Sequence, residues 1–321
     1  MRRGAWRWGG WVCVAAALGA GGCREDGGEI PTLRRIPLAA PVSARATLVT
    51  DGGGRVWIGD SLRVMAIDTM GRVTARLPVP AGAVPRVLRV GGGRVVVSRG
   101  PRVLTVIDAA TGRVLHDRRS RLDAPVALDP RGRWAYTVKG GGGVLGLDSA
   151  LAMKWGWPEG GSRAGALAVS PLGDRVYLAL DGSGERGLEP AVQIRDAFSG
   201  RVLGAWGAPA PVRGLEPGAA GRIVGWDADA LFVLRHAERG LDEVWRVSLG
   251  RLGFERIDGV RVSPDGGRVA VIARGEGGGV RVLDAADGRV VGREDEAPTD
   301  AAWDVRGRLL VLRTREIRIA R

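Results

Sequence analysis

From about residue 46 to the end of the chain, apolar and polar residues alternate in short runs, and clusters of Gly and Asp separate the runs. Residues 259–294 carry the pattern most clearly. Val260-Arg261-Val262-Ser263 leads through Pro264-Asp265-Gly266-Gly267-Arg268 into Val269-Ala270-Val271-Ile272-Ala273. Val280-Arg281-Val282-Leu283 then leads through Asp284-Ala285-Ala286-Asp287-Gly288-Arg289 into Val290-Val291. A period of two predicts strands with one face in a core. Gly and Asp between them supply the unusual dihedrals and local hydrogen bonds of tight turns, so the runs pair as antiparallel hairpins. No stretch carries the 3.6-residue apolar stripe of a long amphipathic helix.

The pattern repeats. An Arg follows the first turn in six of the units, at Arg55, Arg94, Arg133, Arg175, Arg268 and Arg308, with first steps of 39, 39 and 42 residues. A second Gly-Arg turn recurs at Gly71-Arg72, Gly112-Arg113, Gly200-Arg201 and Gly288-Arg289. Four strands in roughly 40 residues is the spacing of propeller blades. Seven units are predicted, at 46–80, 86–120, 125–158, 163–208, 221–257, 258–296 and 298–321. The last holds only three strands. Residues 30–38, Ile-Pro-Thr-Leu-Arg-Arg-Ile-Pro-Leu, are expected to supply the fourth and close the ring, which removes a bare sheet edge. The fold expected is thus all-β: a seven-bladed propeller of four-stranded antiparallel blades occupying 30–321 as one domain, despite a length that would ordinarily suggest two.

The turn copies Asp108-Ala109-Ala110-Thr111-Gly112-Arg113 and Ser263-Pro264-Asp265-Gly266-Gly267-Arg268 resemble bacterial YVTN-type and Tol-system-type propeller repeats, over nearly the whole chain after the leader. The resemblance implies the fold and assigns no activity. Better-defined propeller classes fit less well. A Trp-Asp pair ends the third strand in WD-repeat blades, whereas Trp226-Asp227 and Trp303-Asp304 are placed here on first strands. In quinoprotein propellers a Trp follows the second-turn Gly by four residues; here those positions hold His116 and Gly204.

Ahead of the repeats, Arg2, Arg3 and Arg7 precede an apolar stretch, 11–20, too short to span a bilayer core of ~30 Å. Ala20-Gly21-Gly22-Cys23 follows and resembles the bacterial lipobox, with Ala20 where that motif prefers Leu. The resemblance implies a lipoprotein signal at 1–22, acylation of Cys23, a polar tether at 23–29, and an exported protein anchored in the cell envelope and facing the periplasm. Arg24 stands where an Asp would mark inner-membrane retention, which favours the outer membrane over the inner. Cys13 and Cys23 are the two cysteines; Cys13 falls within the leader, so no disulfide is expected.

Composition narrows the chemistry. The net charge is +13, but among 48 basic residues only Lys139 and Lys154 are lysine, and aromatic residues make up 5%. The Arg are scattered through the repeats, with too few aromatic rings for base stacking, so nucleic acid is not expected as a partner. Two histidines, His116 and His236, fall in different blades, and no metal site, catalytic set or cofactor is predicted. The recurrent Asp51, Asp129, Asp265 and Asp304, with Asp68, Asp108, Asp196 and Asp284, are assigned to turns. Trp57, Trp134, Trp245 and Trp303 are assigned to the inter-blade core. Trp155, Trp157 and Trp206, near fourth strands, fit either core or a binding surface, with core preferred.

One asymmetry points to a partner. Loops at 181–190, 236–242 and 208–221 are expected to share the face formed by second-to-third connections and by the connections between blades. There Glu185, Glu189, Glu238, Asp242, Glu243, Glu276, Glu294, Asp295 and Glu296 would form an acidic sector on a basic protein, a docking patch for an envelope protein. The function expected is a monomeric, lipid-anchored, non-catalytic binding or scaffolding module. The alternative is an enzyme of the central funnel, such as a lactonase-like hydrolase, or a small-ligand sensor there. A funnel enzyme would need inward carboxylates or His from several blades, and the sequence reveals no such set on the first strands.

Overall fold

The computed structural model describes residues 27–78, 85–99, 103–119, 126–138, 143–157, 164–182, 189–237 and 240–320; the leader, Cys23, Glu185 and Glu238 lie outside them. Described strands form seven separate four-stranded antiparallel sheets. The first strands are Thr47–Thr50, Pro85–Gly91, Val126–Leu128, Ala164–Val169, Gly214–Pro217, Gly259–Val262 and Asp300–Trp303, here blades 1 to 7. Each touches the first strand of both neighbouring blades, and blade 7 touches blade 1, so the sheets close into a ring around a channel. The alternation seen in the sequence becomes packing between adjacent blades. Val224, Leu231 and Val233 of blade 5 pack with Val260, Val269 and Val271 of blade 6 in one buried cluster.

Blade 7 is completed from the other end of the chain. Thr32–Pro37 lies antiparallel to Glu316–Ala320, with Ile36 opposite Ile317 and Thr32 opposite Ala320. Ile36 is buried with Ile317, Leu312 and Ile58. Part of the segment expected as tether is also paired: Arg293 N–H donates to Gly28 O (3.0 Å) and Ile30 N–H to Arg293 O (2.9 Å). The N-terminal segment therefore binds the outer edge of blade 6 before it closes blade 7.

Blade 5 begins earlier than the repeat predicts. Its first strand, Gly214–Pro217, lies in what reads as a connector, and its second, Arg222–Trp226, carries Trp226, so the Trp226-Asp227 pair is not on a first strand. Gly214 is required there: a Cβ would stand 1.9 Å from the Trp226 ring. Its third and fourth strands, Ala230–Ala237 and Gly240–Ser248, form a long hairpin.

The turn aspartates act as assigned. Asp51 Oδ1 accepts from Gly53 N–H and Arg55 N–H, both at 2.9 Å, and Asp304 accepts from Arg306 and Arg308 N–H at 2.9 and 2.8 Å. In the turns at Asp68 and Asp108, amide donors hold the carboxylates below their usual range, Arg72 N–H foremost for Asp68 and Thr111 N–H for Asp108. At Gly266 (φ +71°) both the left-handed backbone and the close approach of Ala219, 2.2 Å from a built Cβ, exclude a larger residue.

The Arg after the first turn does more than neutralise its Asp. Arg55 donates to Ala110 O (2.6 Å) and Ala109 O, Arg94 to Ser149 O (3.0 Å), and Arg222 to Ala285 O (2.9 Å). Each acceptor lies in the third-to-fourth turn of the following blade. Arg133 pairs with Asp129 (2.8 Å) and also covers the Phe198 ring in that same turn of blade 4, 5.9 Å from its centroid. These side chains fasten blade to blade, and Arg222 is a member of the series that the repeat did not reveal.

Between blades 4 and 5 the fastener is a histidine. Arg175 Nη1 donates to His236 Nδ1, which fixes the neutral tautomer and leaves Nε2–H to donate to Tyr177 Oη (2.9 Å). Burial, then the Arg175 charge, holds the His236 pKa below its ordinary value, and burial pushes Tyr177 up to about 12. The folded state thus binds fewer protons than the unfolded chain. Stability is full above the ordinary histidine value near 6.5 and falls as pH drops below it toward the folded-state value. Urea midpoints for the wild type are expected to fall between pH 7.5 and 5.5 by more than those of His236→Gln; equal falls would sink the assignment.

Tryptophans pack between blades. Trp57 and Trp303 are buried. Trp155 and Trp157 stack at 4.4 Å, with Trp157 against Gly200 of blade 4, and Trp206 packs on Phe232 of blade 5. The three tryptophans near fourth strands are half-buried and pack against the inter-blade core, the preferred of the two readings.

Candidate functional site

Strands in a blade alternate in direction, so first-to-second and third-to-fourth turns open on one face, and second-to-third loops and blade connectors on the other. Of the predicted acidic sector, Glu189 and Glu276 are exposed in second-to-third loops of blades 4 and 6, Glu294 ends the outer strand of blade 6, and Asp295 and Glu296 open the connector into blade 7. Asp242 and Glu243 do not join them. They lie on the outer strand of blade 5, just after a third-to-fourth turn that opens on the opposite face. The loop at 236–242 was expected on the connector face, and the early start of blade 5 moves it to the other.

The connector acids are also committed. Arg313 and Arg318 both bind Glu294, Arg318 at 2.9 Å; both also bind Glu296, Arg318 at 3.1 Å. Arg318 further holds Glu316 (2.6 Å) and Arg281 holds Asp295 (2.8 Å). Arg281 also donates to Leu252 O (3.1 Å) and covers the Phe254 ring at 4.8 Å. These acids tie the outer strand of blade 6 to the middle of blade 7. Glu294, Asp295 and Glu296 thereby form a neutralised, inter-blade network rather than a free negative patch.

The charged group at the channel was missed by sequence reasoning. Asp300 opens the first strand of blade 7 and is 1% exposed. Its carboxylate accepts from Leu48 N–H of blade 1 (2.8 Å) and Ala301 N–H (2.9 Å). Arg261 Nη2, from the first strand of blade 6, lies 3.3 Å from both its oxygens, and Arg274 Nη2 lies at 3.8 Å. Arg274 is held in turn by its own N–H to Asp258 Oδ2 (2.7 Å). Burial would lower the Arg261 pKa, but the charges of Asp300 and of Glu216, on the first strand of blade 5, outweigh it and keep the guanidinium firmly protonated. Inward carboxylates thus do stand on first strands, at Glu216 and Asp300. The signal was present: Arg261 is a charged residue between Val260 and Val262 in an innermost strand, and with both valines packed in the cluster shared with blade 5 it turns to blade 7.

This arrangement is a clamp. A general acid or base needs a carboxyl free to exchange a proton with a group ~2.6–3.2 Å away. Asp300 instead directs its lone pairs at two amides and a guanidinium, joining the inner strands of blades 6, 7 and 1. No cluster of three or more His, Cys, Asp or Glu with the spacing of a metal site occurs among the described residues.

No protein-family model matches the chain, and no curated protein matches it in sequence. Solved structures do match in fold. The β-propeller domain of Cps50 (Swd1) from Myceliophteria thermophila superposes with a TM-score of 0.72 at 14% identity, covering 90% of this chain and 98% of that one. A chain of a mitotic checkpoint complex gives 0.72 at 12% identity, covering 100% and 98%. At such identities the likeness speaks for architecture alone, and the chain is a seven-bladed β-propeller.

Proposed function

We propose that this propeller is a rigid, non-catalytic protein-binding module, exported and held at the envelope membrane by a lipid on Cys23. The observation that carries the reading is the use of charge: Asp300 with Arg261 at the channel, and Glu294 to Glu296 with Arg313 and Arg318 at the connector, lock blades together instead of presenting reactive groups. A ring fixed this way offers broad faces of constant shape, which suits binding without chemistry. One of the similar folds sits in a mitotic checkpoint complex, an example of a propeller in an assembly. The chain leaves blade 6 at Gly27, four residues from Cys23. Four extended residues reach at most about 14 Å, so the lipid would hold the rim at blades 6 and 7 close to the bilayer.

Crosslinking pull-down of the tagged full-length protein from its own envelope, beside Cys23→Ala, tests both parts. The wild type is expected in the membrane fraction with a specific protein partner, and Cys23→Ala in the soluble fraction without it. A folded wild-type protein that fractionates with membranes and captures no protein would overturn the binding reading.

A further inference from the structure

The fastening of one blade's Arg to the turn of the next is not made between blades 6 and 7. Arg55, Arg94 and Arg222 each donate to a carbonyl in the third-to-fourth turn of the next blade, a turn that contains Asp108, Asp148 or Asp284. Arg268 is the counterpart in blade 6. Blade 7 has no third-to-fourth turn, because Glu316–Ala320 and Thr32–Pro37 come from opposite ends of the chain. Arg268 and Arg306, both exposed, make no side-chain hydrogen bond or ion pair of 4 Å or less among the described residues; their backbone groups are engaged, and the Arg268 charge acts on Asp265 from further away.

A cavity of about 440 Å3 marks the place, lined by Arg268, Arg306, Arg308, Asp265 and Leu33. Its equivalent between blades 1 and 2, about 500 Å3, is walled by glycines, Arg55 and the turn residues Ala109 and Ala110. The two are similar in size and opposite in character. In one an Asp-bearing turn meets a single satisfied Arg. In the other, Leu33 of the closing strand stands beside three arginines, of which Arg308 is paired with Asp304 at 2.7 Å and Arg268 lies near enough to Asp265 for its charge to help lower that carboxyl's pKa.

We propose that this notch docks an acidic peptide turn of a partner protein, which supplies carbonyl oxygens like those that Arg55, Arg94 and Arg222 obtain from the turn of the next blade, and carboxylates besides; the inference rests on the protein-binding reading above. Guanidiniums take carboxylates in paired, charge-assisted hydrogen bonds, and Leu33 offers an apolar wall for a small side chain.

The probe is a capped, fluorescein-labelled peptide Asp-Ala-Ala-Asp-Gly-Arg, the turn at 284–289 that meets Arg222 in this chain. Fluorescence anisotropy compares wild type, R268A/R306A and R113A, the last an exposed Arg outside the notch, at matched salt. Expected are at least tenfold weaker binding by R268A/R306A, no change for R113A, and loss of binding when both Asp of the peptide become Asn. Equal weakening in both variants would show diffuse charge attraction, and no binding by wild type at millimolar peptide would likewise overturn the proposal. Since neither side chain supports the fold, unchanged thermal midpoints are expected. A partner captured from the envelope equally by wild type and R268A/R306A would keep the binding module and remove the notch from it.

Discussion

Asp300→Ala is expected to destabilise the protein by about 3–5 kcal/mol, because it removes the nearest counter-charge of the largely buried Arg261 guanidinium and strands the Leu48 amide. Surface carboxylates removed in the same way typically move stability by no more than about 0.5 kcal/mol. The magnitude separates a clamp from ornament. The double variant Asp300→Ala with Arg261→Leu is expected to recover much of the loss, since it removes the isolated charge together with its partner. Urea denaturation of the two single variants and the double completes the cycle. A single variant within about 0.5 kcal/mol of wild type would show that blades 6, 7 and 1 are not held through this residue.

The second large effect belongs to the closing strand. Ile36→Asp places an unpaired carboxylate among Ile317, Leu312 and Ile58 and is expected to cost more than about 4 kcal/mol, a large share of the ~5–15 kcal/mol that stabilises a typical domain. Loss of the strand exposes the edge of Glu316–Ala320, so limited proteolysis should cut first within blade 7. Ile36→Val, which keeps the shape of the site, should cost about 0.5–1.5 kcal/mol. Leu33→Ala should cost little, because Leu33 bulges out of register and is 55% exposed. Similar behaviour of Ile36→Asp and Leu33→Ala would mean that ring closure does not depend on this strand.

Most of the ring was legible in the sequence because its signal is local. Alternation such as Val269-Ala270-Val271-Ile272-Ala273 and a turn such as Asp284 to Arg289 each declare themselves within a few residues. The short seventh unit even called for a strand from the other end of the chain. Blade 5 was less legible since Gly214–Pro217 has a single strongly apolar residue, Leu215, and ends in Gly and Pro, so it reads as a loop. Missing one strand has a cost beyond its length. Successive strands run in opposite directions, so a shift by one moves every later loop of that blade to the other face. That is why Asp242 and Glu243 were grouped with Glu276 and Glu294.

Candidate site residues were legible as residues but not as pairs. Glu294 and Arg313 stand nineteen residues apart, and Asp300 meets an amide 252 residues away. A string of acids such as Glu294-Asp295-Glu296 looks like a free negative patch until the arginines of the next strands are placed beside it. Position along the chain fixes which charges exist; only the folded ring fixes which of them are already answered.

The shared seventh sheet also makes closure of the ring depend on strands from distant parts of the chain. Until Thr32–Pro37 and Glu316–Ala320 have met, six blades can form but the seventh presents an open strand with unmet backbone groups, and closure over so long a stretch of chain is slow. During that interval the same edge fits the N-terminal strand of a second molecule in the same register. Self-closure is indifferent to concentration, whereas strand exchange between molecules grows with it. A protein held by its N-terminus on a crowded two-dimensional surface would therefore face a contest between a closed ring and a swapped pair, decided by how densely it is deposited while still folding.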